Sequence, residues 1–441
     1  MSSPASPGQP GGLPEGDMPG MQMGPGGAPA TGAPDGSGAA AMPMAPAASR
    51  PEIVAVGVLS LVLLAAGVLL ASLFGDFRMS RGSMGEMAGM SGTGGMAGMS
   101  GMGGAGGVTQ MGGLVMPPGM IMAPGMDPQA QADMAAVDLA KIRYTAPADA
   151  RGDQVLPARV ENGVKVFDLE TSLIRWNILP DVQVAAYAFN RQVPGPRIVI
   201  TQGDRVRINV RNNLPDPTSV HWHGLILPNE MDGAADVTQP PIQPGESFTY
   251  EFTVQQAGSY VYHSHFAPDR QQALGLYGAL IVEPKAPPPA PAYDKEVVIQ
   301  LQEWTVKQGY TFPSMPMEGL LPNFFTINGK SYPSTETVQM KVGERLRVRF
   351  IGSNTAFIHP MHIHGGPFTI VETDGNPVPP AAQFQKDTIN IGPGERYDVI
   401  WEARLPGKWL IHCHINHHIT NDGKEEQGGG GLTMVINVAP S

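Results

Sequence analysis

Cysteine is almost absent from this chain, because Cys413 is the only one in 441 residues. A single cysteine excludes any intramolecular disulfide, so cysteine pairing gives no information about the redox compartment. Clusters of Lys and Arg are also lacking, and the formal net charge is −11. Phosphate backbones bind clustered basic residues, so this charge balance argues against nucleic acid as the main partner.

The first third of the chain lacks the aromatic residues and the periodic apolar pattern of a folded domain. Many of the 56 glycines and 44 prolines lie there, together with most methionines. This composition predicts a disordered tail over 1–52 and a Met/Gly-rich linker over 75–154. Between Met79 and Met126 thioether sulfurs recur every few residues, and thioethers prefer cuprous ions. Two interpretations stay open: the segment collects copper, or its methionines reflect only the drift of a low-complexity linker sequence.

One long uncharged run, IVAVGVLSLVLLAAGVLLASLF, occupies 53–74. A helix of this length crosses the hydrocarbon core of a bilayer, so we predict a transmembrane helix that anchors the chain. A buried soluble helix or the core of a cleaved signal is the alternative. Arg78 and Arg81 follow the run and only Arg50 precedes it, which favours a cytoplasmic C-terminal side. The function inferred below favours the opposite orientation, with periplasmic or cell-surface catalytic domains.

Past Val155 the chain changes to alternating apolar and polar runs with Pro-Gly and Asn-Gly turns, which is typical of short antiparallel strands. The pattern occurs twice, once before HWHG at 221–224 and once before HIHG at 362–365, as an internal repeat of roughly 150 residues. We therefore predict an all-β fold with two β-sandwich domains, over 155–286 and 292–439. A Pro-rich segment at 285–294 predicts a stiff spacer between them.

All 11 histidines fall in four short clusters inside the predicted domains. Side chains at i and i+2 of a strand point the same way, so each His-x-His pair presents two imidazoles to one site. Imidazole binds copper, zinc and iron, and the histidine count alone does not identify the metal. The pairs are His221 and His223, His263 and His265, His362 and His364, and His412 and His414.

Cys413 lies between the last two paired histidines and points to the opposite face of the strand. With His359 and His418 it completes a His₂Cys set, which is the ligand set of a blue-copper electron-transfer site. The repeat alignment predicts that only the second domain holds this site. The residues of the first domain that align with His359, Cys413 and His418 are Thr218, Ser264 and Asp269.

The motifs HWHG, HSH, HPMHIHG and HCHINHH, in this order, resemble the four copper motifs of the multicopper oxidase family, and in particular of its two-domain, small-laccase-like members. The match covers roughly 155–440. The resemblance implies two cupredoxin-like Greek-key domains and four coppers per chain. The implied ligands are His359, Cys413 and His418 for type 1 copper, His221 and His362 for type 2 copper, and His223, His263, His265, His364, His412 and His414 for the binuclear type 3 copper.

The axial position of the type 1 site departs from the family pattern, because the insertion TNDGKEEQGGGG displaces it. Leu432 then aligns with the axial residue, and Met434, two residues further on the same strand face, is the alternative ligand. Leucine would leave the copper three-coordinate and raise its potential, whereas methionine would lower it. The sequence does not decide between them.

Proton supply is the second departure, since Ile419 stands where some relatives carry a carboxylate. Asp232 matches the family's acid near the trinuclear cluster, and we predict a catalytic role for it beside that of Cys413. Glu425 and Glu426 in the insertion are either helpers or part of a solvated acidic loop. His417 has no ligand role in the family pattern.

The resemblance implies a laccase-like oxidase that takes single electrons from a phenolic or aromatic substrate, or from Cu(I), and reduces O₂ to water. It also implies a homotrimer, in which the first domain of one subunit meets the second domain of its neighbour and the trinuclear cluster forms at that contact.

Two alternatives remain. A copper-containing nitrite reductase is also a two-domain trimer, but that family keeps its type 1 cysteine in the first domain, where this chain has Ser264. A non-catalytic copper-binding membrane protein is disfavoured by the intact histidine pairs in both domains.

Overall fold

The computed structural model describes residues 107–118, 126–286 and 292–441, all within the compact unit Gly95–Ser441. The tail predicted over 1–52, the membrane helix predicted over 53–74 and the centre of the spacer lie outside these ranges. In the part of the chain that the structure describes, no helix has both the length and the apolar character needed to cross a bilayer.

β-Strands dominate the described residues, which confirms the predicted all-β fold. The α-helices are short: α1 is Pro128–Met134 and α2 is Pro268–Gln271. Asp127 caps α1, because its carboxylate accepts a hydrogen bond from the Gln129 backbone N–H at 2.7 Å. The first two strands, β1 (Thr109–Met111) and β2 (Leu114–Met116), form a separate antiparallel hairpin.

The first half of the fold comprises strands β3 to β12, which form two sheets around one core. In β8, for example, Val206, Ile208 and Val210 face the core while the alternate residues face outward, as the period of two in a strand requires. The strands are β3 (Tyr144–Thr145), β4 (Arg159–Glu161), β5 (Val164–Leu179), β6 (Val182–Phe189), β7 (Ile198–Thr201), β8 (Arg205–Asn212), β9 (Val220–His223), β10 (Ser247–Thr253), β11 (Gly258–Ser264) and β12 (Tyr277–Glu283).

The second half comprises β13 to β25 and repeats the arrangement with larger sheets. Its core contains Cys413 among buried apolar side chains such as Phe350 and Trp401. The strands are β13 (Lys295–Lys307), β14 (Tyr310–Phe312), β15 (Phe324–Ile327), β16 (Thr337–Lys341), β17 (Arg345–Ile351), β18 (His359–Ile363), β19 (Phe368–Thr373), β20 (Asn376–Pro377), β21 (Gln385–Lys386), β22 (Thr388–Ile391), β23 (Arg396–Glu402), β24 (Gly407–Cys413) and β25 (Thr433–Ala439).

Each half has one sheet that carries the histidine motifs. In the first half its strand order is β7-β12-β11-β9, and the other sheet runs β10-β8-β5-β3 with β4 and β6 also paired to β5. In the second half its order is β16-β25-β24-β18-β22, and the other sheet runs β14-β13-β17-β23-β19-β20 with β15 on β13 and β21 on β19. The repeat seen in the sequence is therefore a repeat of sheet pairs.

Part of the predicted linker carries secondary structure and buried side chains. Met116 and Met134 are buried against Leu320 of the second half. The Arg270 guanidinium donates to the backbone carbonyl of Ala135 at 2.5 Å and so holds the end of α1 on the first half. Composition did not indicate this packing, because the buried residues are few and their partners lie far away in the sequence.

Buried polar groups join the two halves. The Ser259 backbone N–H donates to Glu372 Oε1 at 2.8 Å, and the Ser259 hydroxyl donates to Asp398 Oδ1 at 2.8 Å. Arg349 donates to Asp398 Oδ2 at 2.9 Å and to Ser259 Oγ at 2.9 Å. Removing one of these groups would leave a buried polar atom with fewer partners, so the network favours one way for the halves to meet.

The network predicts a pH-dependent stability. Burial, followed by the negative charge of Asp398, raises the pKa of Glu372 to about 7. Because the folded-state pKa exceeds the usual value of 4.5, the protonated form is favoured by folding, and stability falls as the pH rises from about 4.5 to about 7. Glu372→Gln cannot ionise and should lose this fall. The stability of the variant minus that of the unchanged chain should therefore be about 3 kcal/mol larger at pH 8 than at pH 4.5.

Urea unfolding of both proteins at several pH values measures this difference. Glu402→Gln, at the exposed end of β23, is the matched control and should follow the pH dependence of the unchanged chain. Parallel curves for Glu372→Gln and the unchanged chain would contradict the prediction.

Candidate metal centres

Strand pairing brings the histidine motifs together. β9 and β11 are antiparallel neighbours with His263 opposite His221, and β18 and β24 are antiparallel neighbours with His412 opposite His362. Residues directly opposite in such a pair project to the same side of the sheet. Each half therefore gathers four imidazoles at one place.

In the first half, His221, His223 and His263 each offer a ring nitrogen within 4.8 Å of the others, and the His265 ring lies 5.4 Å from that of His221. His221 Nδ1 donates to the Asp232 carbonyl at 2.8 Å, and His263 Nδ1 donates to the Ser264 carbonyl at 2.9 Å. A carbonyl only accepts, so in both rings Nδ1 carries the proton and Nε2 keeps its lone pair, which in His263 lies 3.3 Å from His223 Nδ1. Metal-binding histidines typically donate a hydrogen bond in this way from the ring nitrogen that does not bind the metal.

The second half repeats this arrangement with His362, His364 and His412, again within 4.8 Å. His362 Nδ1 lies 2.6 Å from the Asp387 carbonyl oxygen, and His412 Nδ1 lies 2.8 Å from that of Cys413. The Nε2 atoms of His364 and His412 are 2.9 Å apart. The His414 ring completes the set at 5.7 Å from the His412 ring. Within the described ranges, no such group joins histidines of the two halves.

Burial keeps several of these imidazoles neutral. It lowers the pKa of His223 to about 4 and that of His263 to about 3, and it also lowers the pKa values of His364 and His412. A neutral imidazole is the form that binds a metal. The convergence of unprotonated nitrogens therefore fits metal binding better than a hydrogen-bonded polar cluster.

A third group lies in the core of the second half, where His359, Cys413 and His418 are fully buried. The two Nδ1 atoms are 3.1 Å apart, and Cys413 Sγ lies 3.9 Å from that of His359 and 3.5 Å from that of His418. Burial raises the pKa of the Cys413 thiol to about 12 and lowers the pKa of His418 to about 3. Two imidazoles and one thiol at these distances form a closed trigonal donor set.

Sequence reasoning missed Glu303, whose Oε1 lies 3.0 Å from His359 Nε2. It is fully buried in β13, within the run IQLQEW. A charged residue in an otherwise buried strand was the available signal, since such residues are rarely buried without a partner. Which residue it contacts could not be read from the sequence.

The structure distinguishes the two axial candidates by register. The Cys413 backbone N–H donates to the Leu432 carbonyl at 3.1 Å, whereas Met434 lies opposite Ile411. Both candidate side chains are buried in the same core. In an antiparallel pair, the side chains of directly opposite residues start roughly 5 Å apart, whereas those of diagonal neighbours are roughly 7–8 Å apart. The register therefore favours Leu432 as the neighbour of Cys413.

The equivalent place in the first half holds a hydrogen-bonded polar cluster. Gln271 Oε1 accepts from Thr218 Oγ1 at 2.8 Å and from Ser264 Oγ at 2.7 Å. Gln271, rather than the aligned Asp269, reaches these two residues. With neither thiol nor imidazole, the cluster offers no counterpart of the His359, Cys413 and His418 group.

The remaining candidates are more exposed. The Asp232 side chain is about one-third exposed, and its Oδ2 lies 3.5 Å from His221 Nδ1. Glu425 and Glu426 are exposed in the insertion. His417 is exposed as well, and its ring packs 4.4 Å from the ring of His418.

Two family models, both described as multicopper oxidase, match residues 171–287 and 302–423, one in each half. Together they match more than half of the chain. The chain belongs to the multicopper oxidase family. Its cofactor is accordingly copper. The three donor groups fit that metal, because copper binds imidazole nitrogen and cysteine sulfur and because the imidazole nitrogens keep lone pairs.

Solved structures of this family share the fold. This multicopper oxidase is 36% identical to the blue copper oxidase from Nitrosomonas europaea, with a TM-score of 0.57, covering 62% of this chain and 85% of the other. It is 35% identical to the multicopper oxidase mgLAC, with a TM-score of 0.58, covering 62% of this chain and 86% of that one.

Curated relatives include copper resistance protein A from Pseudomonas syringae pv. tomato, 32% identical over 54% of this chain and 45% of the relative. Another is the multicopper oxidase MmcO from Mycobacterium tuberculosis, 34% identical over 50% of this chain and 48% of the relative. The chain spans about half the length of the curated relatives it matches.

Proposed function

We propose that this multicopper oxidase is laccase-like and couples one-electron oxidation of a phenolic or aromatic substrate, or of Cu(I), to the four-electron reduction of O₂ to two waters. The observation that carries the proposal is the coexistence of one buried His₂Cys group with two groups of three converging histidines, each with a fourth imidazole ring beside it. The curated relatives include a laccase-1 of Cryptococcus neoformans and a dihydrogeodin oxidase of Aspergillus terreus. Those names support an oxidase acting on small aromatic molecules.

In this proposal, His359, Cys413 and His418 would hold type 1 copper, and Leu432 and Met434 are the candidates for a further ligand. Bound copper supplies one-electron redox chemistry at that site and the multi-electron reduction of O₂ where three ions lie together. The remaining paired histidines would hold the other three ions. The type 2 ligands would be His221 and His362, and the type 3 ligands would be His223, His263, His265, His364, His412 and His414.

The chain itself connects the donor groups. Cys413 is bonded through one peptide unit to His412 and through another to His414, and His412 Nδ1 also donates to the Cys413 carbonyl. The thiol side chain lies on one face of β24 and the imidazoles lie on the other. An electron delivered at Cys413 therefore has a short covalent path to the paired histidines.

Asp232 is the proton donor in this proposal. Its carbonyl orients His221, and its partly exposed carboxylate connects that imidazole with solvent. Reduction of O₂ to two waters takes up four protons with the four electrons, so a carboxylate beside the histidines serves as a proton donor.

The separation of the two four-histidine groups supports a homotrimer, with the first half of one subunit meeting the second half of its neighbour. Head-to-tail contacts of this kind close into a ring. Exposed apolar residues lie near both groups in sequence. Ile226 and Val237 follow the first histidine motif. Phe384 lies shortly before Asp387, whose backbone carbonyl accepts a hydrogen bond from His362. Burying them against a neighbouring subunit would remove apolar surface from water.

The finer architecture and the location are also part of the proposal. The sheet pairs of each half support two cupredoxin-like Greek-key domains over 155–286 and 292–439. The uncharged run at 53–74 supports a membrane anchor, with the copper domains on the periplasmic or cell-surface side. The Met-rich segment from Met79 to Met126 favours Cu(I) as one of the substrates.

Copper content and the visible spectrum of the full-length chain test the proposal. We expect four coppers per chain, a band near roughly 600 nm from the thiolate site and a shoulder near roughly 330 nm from the coupled pair. Two coppers without the shoulder would instead support a nitrite reductase. Bound copper without oxygen uptake from any reductant would support a copper-buffering protein.

A further inference from the structure

Glu303 lies fully buried in β13 and is surrounded by hydrogen-bond donors. Its Oε1 lies 2.9 Å from Asn354 Nδ2, 2.9 Å from the Phe357 backbone N and 3.0 Å from His359 Nε2. Its Oε2 accepts from the Ala356 backbone N–H at 3.2 Å. His359 presents Nδ1 to Cys413 and His418, so a neutral ring that binds a metal through Nδ1 carries its proton on Nε2. All four contacts of Glu303 are then with donors, and a protonated carboxyl would lack an acceptor, which indicates the ionised carboxylate.

No Lys or Arg among the described residues forms an ion pair with Glu303, and the basic group nearest to it there is the His359 ring, which is uncharged in the neutral form that binds a metal. A buried carboxylate without a positive partner is costly. Two neutral imidazoles and one thiolate carry a net charge of −1, so the His₂Cys centre is +1 with Cu(II) and neutral with Cu(I). The carboxylate of Glu303 therefore interacts more favourably with the oxidised centre than with the reduced one.

The same contact fixes the orientation of His359. The hydrogen bond from His359 Nε2 to the carboxylate holds the ring with its Nδ1 lone pair toward Cys413 and His418. His418 has no equivalent support, because its Nε2 is buried without a hydrogen-bond partner within the described ranges. The two imidazoles of the centre therefore differ in their environments.

We propose that Glu303 is the positioning residue of the His359, Cys413 and His418 centre, and that its carboxylate lowers the reduction potential of that centre by stabilising the oxidised state. The inference rests on the proposed function, because it requires copper at this group. The effect of Glu303 on the reduction potential is opposite to that of Leu432, which would raise the potential as a neighbour of the copper. Glu303 thus sets how strong a reductant the substrate must be.

A redox titration of the copper-loaded full chain, followed at the band near roughly 600 nm, tests this inference. Glu303→Gln removes the charge and keeps the shape of the side chain. We expect the blue band to remain and the equilibrium constant for one-electron reduction to rise about tenfold, equivalent to about 59 mV for a one-electron couple. Glu296→Gln, near the start of the same strand and away from His359, is the control and should change the constant less than about twofold.

The outcomes separate the two proposals. If the unchanged chain shows no blue band, the proposed function itself fails. If it shows the band but the Glu303→Gln constant stays within about twofold of the unchanged value, the function stands and the role of Glu303 is wrong.

A measurement on the unchanged chain covers the case in which the variant does not fold. Electron spin echo spectroscopy detects the remote ring nitrogens of copper-bound imidazoles. We expect two distinct remote-nitrogen signals from the blue site, since His359 Nε2 donates to a carboxylate and His418 Nε2 does not. Two equivalent signals would overturn the inference.

Discussion

Cys413→Ser should abolish the absorption near roughly 600 nm and lower oxygen uptake by about 10³-fold or more. The band arises from charge transfer between a thiolate and copper, and a serine hydroxyl does not replace the thiolate. The same sulfur begins the covalent path to His412 and His414, so the substitution also cuts electron delivery to the oxygen site. Visible spectroscopy and an oxygen electrode, with a phenolic reductant and with Cu(I), measure both effects.

Ser264→Ala is the matched control, because Ser264 ends β11 at the place that the repeat assigns to Cys413. It removes the hydroxyl that bonds Gln271 and the Phe266 backbone, and this hydroxyl contacts no predicted copper ligand. The Ser264 backbone carbonyl, which accepts from His263 Nδ1, is kept. Its spectrum should be unchanged, and the thermal unfolding of both variants shows whether they are folded. A Cys413→Ser protein that kept the blue band and its turnover would show that the thiolate is not the ligand.

The second large effect concerns assembly. His263→Ala disables the four-histidine group of the first half, and His412→Ala disables that of the second, so each variant alone should have almost no activity. If the oxygen site forms between subunits, co-expression creates contacts in which the first half comes from His412→Ala and the second half from His263→Ala. Both histidine groups are intact at such a contact. In random rings about a quarter of the contacts are then intact, and about a quarter of the activity should return.

The control is co-expression of His263→Ala with His221→Ala, in which every first half is damaged, and no activity should return. If activity failed to return from His263→Ala with His412→Ala, although the mixed protein assembled and each variant bound type 1 copper, the oxygen site would lie within a single chain. The separate histidine groups of the described residues would then have to come together by a rearrangement of the halves.

The sequence determined the chemistry of this protein because its ligands follow local rules. Side chains at i and i+2 of a strand share a face, so His412 and His414 identified one site, and Cys413 between them identified a second site on the other face. The repeat then indicated which half holds the thiolate group. Alternation of apolar and polar residues predicted the all-β fold in the same way, since a strand with one buried face imposes a period of two.

Contacts between distant segments were decided by the tertiary structure alone. Glu303 meets His359 across 56 positions of sequence, and Gln271 rather than Asp269 meets Thr218 across 53 positions. Leu432 is the neighbour of Cys413 only because the register of β24 and β25 places it there. No local periodicity encodes such contacts. They depend on which strands pair and on which hydrogen-bond partners this pairing brings to each buried polar group.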